Sequence, residues 1–245
     1  MLLQACLNGS RKPGDHPALP LTAEALAWDA RRVTEAGAKA VHMHPRGRDG
    51  LERLDAEVIG AAVAAVRALC PALPVGVSTG AWIEPQPARR LQLITSWGSL
   101  PAALRPDFAS VNLCEEGAVA VCAALLDGGI GVEAGLWSPA DVRVLRENGL
   151  ADRCVRYLIE LVREETAAEA IAVARAIEHA LEETGTDTPR LLHGTEGTAW
   201  PMLRYALTRG YDVRIGLEDT LTYPDGTLAR DNAALIATAL AWANS

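Results

Sequence analysis

The chain has 245 residues, 49% hydrophobic and 22% charged, enough to bury a large core as one α/β barrel or two small domains. Its 23 basic residues against 31 acidic ones leave a formal charge of −8. That balance speaks against nucleic acid, whose phosphates need a basic face, and against an anionic membrane surface. No run of about 18 uncharged apolar residues is available to span a bilayer. The opening MLLQACLNGSRKPGD has no basic leader before its apolar run, so no signal peptide is expected. Cys6, Cys70, Cys114, Cys122 and Cys154 are odd in number and contain no CxxC, which reads as reduced thiols in a cytoplasmic protein. Lys12 and Lys39 are the only lysines, so lysine chemistry is not expected to drive an activity.

Short apolar runs alternate with helical stretches. The first run, 2–7, closes on Asn8-Gly9. A proline-rich loop leads to a helix over about 22–36, capped by Thr22 and ended by Gly37. The second run, 40–44, precedes a helix of period 3.6 over about 55–69. The third, 74–77, ends in Ser78-Thr79-Gly80, and 87–98 is expected to be helical. The fourth, 108–113, precedes a helix over 117–126. The fifth is 131–136, and Ser138-Pro139-Ala140-Asp141 starts a helix with proline in its first turn. The sixth, 157–162, precedes a long helix over 166–183; the seventh, 191–193, a helix over 198–209. The eighth is 212–217, and the last helix covers 231–243.

Strands joined through helices pair in parallel, since each crossover returns the chain to the same end of the sheet. Eight such units predict a (β/α)8 TIM barrel, with residues 1–245 as a single domain. A doubly wound open sheet shares the alternation.

In such barrels reactive groups sit at the C-terminal ends of strands, and polar residues collect there in this chain. His42 and His44 are spaced i, i+2, which points both imidazoles to one face of the second strand. With a carboxylate from elsewhere they make a three-ligand site for a divalent metal, zinc above all; a pair of hydrogen-bonded core histidines has the same spacing. Glu218 is the natural third ligand, although Glu218-Asp219 also reads as an acidic pair starting a helix. Arg214 lies four residues before Glu218, which places both on one strand face. A buried arginine needs carboxylate partners. Glu133 is another charge inside an apolar run. Ser78, Thr79 and Gly80 offer hydroxyls and a close backbone to a carboxylate or enolate oxygen, or form an ordinary turn.

Taken in order, His42-Met43-His44-Pro45-Arg46, Val77-Ser78-Thr79-Gly80, Ser110-Val111-Asn112, Val132-Glu133-Ala134-Gly135-Leu136 and Arg214-Ile215-Gly216-Leu217-Glu218-Asp219 give a chain that resembles the β-keto acid cleavage enzymes over nearly its whole length. The resemblance implies a zinc-dependent barrel that takes a β-keto acid and acetyl-CoA and releases acetoacetate and a new acyl-CoA. It implies His42, His44 and Glu218 as metal ligands, Arg214 and Asp219 in proton abstraction, and Glu133 as a supporting carboxylate. Ser78 would touch the keto acid, and Asn112 occupies the matching position on the fourth strand. Because an arginine pKa exceeds about 12, Asp219 is expected to accept the proton, with Arg214 orienting or relaying. Family members are commonly homo-oligomers, and the same is expected here. A metal-dependent aldolase or hydrolase that needs no CoA is the alternative on this barrel.

Two departures stand out. Arg11 lies just after the first strand, where a family member carries an acidic residue suited to an amino-bearing substrate. The expectation is therefore substrate contact by Arg11 and a β-keto acid that is neutral or carries a second carboxylate. The chain is also shorter than typical members, which leaves the pocket shape and the CoA site open. The segment 82–99, rich in Trp, Pro and Arg, reads as a plain helix behind a proline-rich loop rather than a cover over the barrel mouth.

Overall fold

The computed structural model describes residues 1–244. Eight strands alternate with eight helices: β1 (Leu3–Cys6), α1 (Ala23–Glu35), β2 (Ala40–Met43), α2 (Ala56–Leu69), β3 (Val75–Ser78), α3 (Pro87–Trp97), β4 (Phe108–Asn112), α4 (Ala118–Asp127), β5 (Gly131–Leu136), α5 (Pro139–Glu147), β6 (Arg156–Leu161), α6 (Ala167–Glu182), β7 (Arg190–Gly194), α7 (Ala199–Thr208), β8 (Asp212–Ile215) and α8 (Asn232–Ala243). Each strand pairs in parallel with the next, and β8 returns to β1, with Gln4 opposite Arg214. The sheet is thus a closed (β/α)8 barrel, the predicted fold. No helix of the described residues is long and apolar enough to cross a membrane.

The helices begin where local chemistry dictates. Thr22 accepts a hydrogen bond from the Ala25 amide at 3.1 Å, and Thr166 forms a capping box with Glu169. Ser138 and Asp141 do the same for α5, whose first residue is Pro139. Apolar residues such as Val41, Val77, Ala109 and Ile159 face outward from the barrel into the layer of helices and are fully buried there. Positions between them point inward. They include Gln4, His42, Glu133, His193 and Arg214, all almost wholly buried. Along β2 and β5–β8 the barrel interior is therefore largely polar, with Leu158 on β6 an apolar exception, while β4 contributes Phe108.

The eighth strand is shorter than expected. Its ladder ends at Ile215, and the chain then makes a tight turn in which Asp219 and Thr220 both donate to the Gly216 carbonyl, at 2.9 and 3.0 Å. Gly216 is required there: a Cβ would collide with the carbonyl oxygen of Cys6 on β1. Glu218 consequently stands on a loop and not on the strand face that simple alternation assigned to it.

Candidate metal and catalytic site

At the C-terminal mouth lies a cavity of about 270 Å³, lined from β2 by His42 and His44, from β3 and β4 by Ser78, Ser110 and Asn112, and from the β8 side by Arg214, Glu218 and Asp219. Trp82, Trp137, Glu160, Val162, His193, Thr195 and Ser10 complete its wall.

His42 Nε2 and His44 Nε2 lie 3.1 Å apart, and Glu218 Oε1 is 3.8 and 3.7 Å from them. This trio is the group of metal-ligating side chains that converges among the described residues. The protonation states suit a cation. His44 Nδ1 sits 2.6 Å from Glu52 Oε2, which makes Nδ1 the protonated nitrogen and leaves the Nε2 lone pair facing His42. Burial, then the neighbouring His44 and Arg214, holds the His42 imidazole well below its ordinary range, so it is neutral. The second Glu218 oxygen is buried without a hydrogen-bond partner among the described residues. Two imidazole nitrogens and a carboxylate oxygen thus converge on one point, and this donor set fits a divalent metal.

The supports of these ligands come from residues that the sequence did not single out. Asn8 clamps His44: its Nδ2 donates to the His44 carbonyl and its Oδ1 accepts from the His44 amide, both at 2.9 Å. Gly9 has φ +52° and lies under the Glu218 side chain, where a Cβ would clash. Asn232, opening α8, accepts from the Leu217 amide at 2.6 Å and donates to the Leu7 carbonyl at 2.8 Å. Trp82 stacks on His44, with ring centroids 6.1 Å apart, and donates to Glu52. The start of the 82–99 segment thus reaches the site, while its remainder is the expected helix α3.

Arg214 bridges two carboxylates through Nη2, at 2.6 Å to Glu218 and 2.9 Å to Asp219 Oδ1. Asp219 Oδ1 also lies 3.1 Å from His193 Nδ1, and Asp219 Oδ2 is buried with no partner among the described residues. Burial alone would push the Asp219 carboxyl up. The charges of Arg214 and His193 and their hydrogen bonds outweigh it and hold the group well below the usual carboxylate range. For His193, burial and Arg214 oppose protonation, yet Asp219 and the contacts to Asp219 and Glu160 prevail and raise its pKa.

The remaining expected residues fall in three places. Glu133 lies in the barrel interior and not on the cavity wall: Gln4 donates to it at 3.1 Å and Arg156 approaches within 3.2 Å, while burial pushes its pKa up. Ser78 lines the cavity, but Thr79 turns its hydroxyl to the Ser110 carbonyl and Gly80 donates its amide to Ser78 Oγ. Arg11 is not on the cavity wall either. Its guanidinium donates to the carbonyls of Leu217 and Glu218, at 2.9 and 3.2 Å, and pairs with Glu196 at 2.5 Å. Arg11 therefore braces the loop that presents Glu218.

Fold and constellation together define a (β/α)8 barrel whose mouth gathers two imidazoles and a carboxylate that could hold a divalent metal. The profile of the β-keto acid cleavage enzymes matches residues 1–245, and the chain belongs to that family. It is similar to the 3-keto-5-aminohexanoate cleavage enzyme of Fusobacterium nucleatum, 25% identical over 251 residues that cover 96% of this chain and 88% of the relative. The enzyme of the same name from Acetoanaerobium sticklandii is 28% identical over 113 residues, 46% of this chain and 38% of its own. Solved structures of ObcA, with oxaloacetate and with a C4-CoA adduct and oxalate, superpose with TM-scores of 0.72 at 17% identity. They match 90% of this chain, which spans 62% of theirs, and the likeness is one of fold.

Proposed function

We propose that the protein is a zinc-dependent β-keto acid cleavage enzyme that condenses a β-keto acid with acetyl-CoA to give acetoacetate and an acyl-CoA, and that it works in the cytoplasm as a homo-oligomer. The observation that carries this reading is the convergence of His42, His44 and Glu218 beside the Arg214–Asp219 pair in one cavity.

His42 Nε2, His44 Nε2 and Glu218 would hold the metal, which when bound would supply positive charge to stabilise the enolate and so acidify the C2 proton. That help matters, because a carboxylate held as low as Asp219 is a weak base. Asp219 Oδ2 is the atom to receive the proton, since Oδ1 is already fixed by Arg214 and His193. Arg214 remains charged and keeps the carboxylate aimed; it has no acceptor role at any working pH. Ser78 Oγ stands on the wall where a substrate oxygen would lie. The resulting carbanion attacks the thioester carbonyl of acetyl-CoA and the CoA thiolate leaves. The thiolate then attacks the original ketone of the adduct, the bond from that carbon to C2 breaks to release the acyl-CoA, and the acetoacetate carbanion takes back the proton held on Asp219.

The test is metal analysis of the purified protein and a screen of β-keto acids with acetyl-CoA, following acetoacetate and acyl-CoA. The expected result is one zinc per chain and acyl-CoA formation that a chelator abolishes. Cleavage that proceeds equally without a thioester points to the aldolase or hydrolase alternative.

A further inference from the structure

We propose that His193 is a positioning residue for the base: its Nδ1 steadies the Asp219 carboxylate, and Glu160 steadies the ring from the other end. This rests on the reading above, that Asp219 takes the C2 proton.

The backbone of Asp219 is already fixed. Its amide donates to the Gly216 carbonyl at 2.9 Å, and its carbonyl accepts from the Glu196 amide at 2.7 Å. What remains is the turn of the carboxylate about Cβ–Cγ, a torsion with broad minima. Proton abstraction needs Oδ2 at one setting of that torsion. Arg214 holds it weakly by itself, because the nitrogen that reaches Asp219 Oδ1 at 2.9 Å also serves Glu218 Oε1 at 2.6 Å.

His193 supplies a second hold from another strand. It stands on β7, its side chain is 2% exposed, and its Nδ1 lies 3.1 Å from Oδ1. Nitrogens from β7 and β8 that meet on Oδ1 set the plane of the carboxylate and leave Oδ2 as the oxygen without a partner among the described residues. The imidazole has a torsion of its own. Glu160 is its partner across the β6–β7 ladder, and Glu160 Oε2 lies 3.6 Å from His193 Nε2. A ring with a carboxylate at each nitrogen has one orientation that suits both, since a flip would turn carbon toward each oxygen. The charge of His193 also weakens Asp219 as a base. The two effects have opposite signs: if charge withdrawal ruled, loss of the ring would speed proton removal, whereas loss of aim slows it.

The test reads proton removal by itself. Zinc-loaded enzyme is given acetoacetate, the invariant product of the proposed reaction, in deuterated water without any thioester. Deuterium entry at C2 is followed by proton NMR and corrected for the rate without enzyme. His193→Leu should slow exchange about tenfold or more at unchanged half-saturation and zinc content. His193→Asn, which keeps an N–H near the Nδ1 position, should recover much of the rate. Glu160→Leu should slow the wild type about threefold and have no further effect in His193→Asn, whose side chain is too short to reach it. Exchange in His193→Leu as fast as wild type overturns the proposal, and so does an undiminished Glu160→Leu effect in His193→Asn. Should His193→Leu not fold, the Glu160→Leu and His193→Asn cycle decides alone by the same criterion. A wild-type enzyme that exchanges nothing counts against the proposed reaction. The brace is then judged by proton NMR for a solvent-protected, downfield ring N–H, identified by its loss in His193→Asn and required to exchange faster in Glu160→Leu. Absence of that resonance from the wild type, or equal protection in Glu160→Leu, overturns the proposal independently of activity.

Discussion

Asp219 shares its Oδ1 between Arg214 and His193 and keeps Oδ2 unpartnered, so its two oxygens are distinguishable by role. Glu218, one residue earlier, points at the imidazoles instead. Asp219→Asn should therefore cut turnover by about 10²–10⁴-fold while metal analysis still finds one ion per chain. Loss of the ion with the activity would mark Asp219 as a ligand. Glu52 gives the complementary case. It touches no metal-facing atom but fixes the His44 tautomer. Glu52→Gln should weaken zinc affinity about 10–100-fold, read by competition with a chromogenic chelator, and added zinc should restore turnover. Both assignments follow from which atom of a carboxylate is already occupied, something that residue type alone does not carry.

Elements fail at identifiable points. The joint between β8 and β1 depends on Gly216, where an added Cβ would run into the Cys6 carbonyl. Overpacking of this kind costs about 1–3 kcal/mol and occasionally more. Gly216→Ala should lower the urea midpoint accordingly, whereas Gly197→Ala, with open space around it, should leave the midpoint nearly unchanged. At the start of α6, Thr166 and Glu169 satisfy each other's backbone amides. Thr166→Ala should cost about 1 kcal/mol without altering kinetics, since α6 packs outside the barrel. Equal losses of activity and stability in the alanine variant of Thr166 would contradict that separation of cap and site.

Across the whole molecule, buried charges set the response to pH. His193 is faced by Asp219 and Arg214 from the β8 side and by Glu160 from β6. Burial and Arg214 oppose protonation, but Asp219 and Glu160 outweigh them and raise its pKa above 6.5 in the folded chain. The unfolded chain therefore releases this proton first, as pH climbs past about 6.5. The stabilisation from protonated His193 is complete below that pH and is lost as pH rises through the folded value, at about 1.4 kcal/mol for each unit of separation. Urea midpoints measured between pH 6 and 9 should fall with rising pH in the wild-type protein and be flatter in His193→Asn. An unchanged slope in the variant would place the effect elsewhere.

Periodicity and turn chemistry determined the eight strand–helix units, because each is written in local residues: Thr22 and Thr166 at helix starts, Pro139 in a first turn, alternating apolar runs between them. The pairing of His42 with His44 was legible for the same reason, since two residues apart on a strand means one face. Tertiary structure alone decided that Glu218 leaves its strand at Gly216, that Arg11 turns away from the cavity, and that Asn8, Glu52, Trp82 and Asn232 brace His44 and the loop carrying Glu218. It also set His193 between Glu160 and Asp219. These groups come from separate strands and loops, and their meeting depends on barrel closure and on where each side chain finds a hydrogen-bond partner. Neither is a property of any short stretch of sequence.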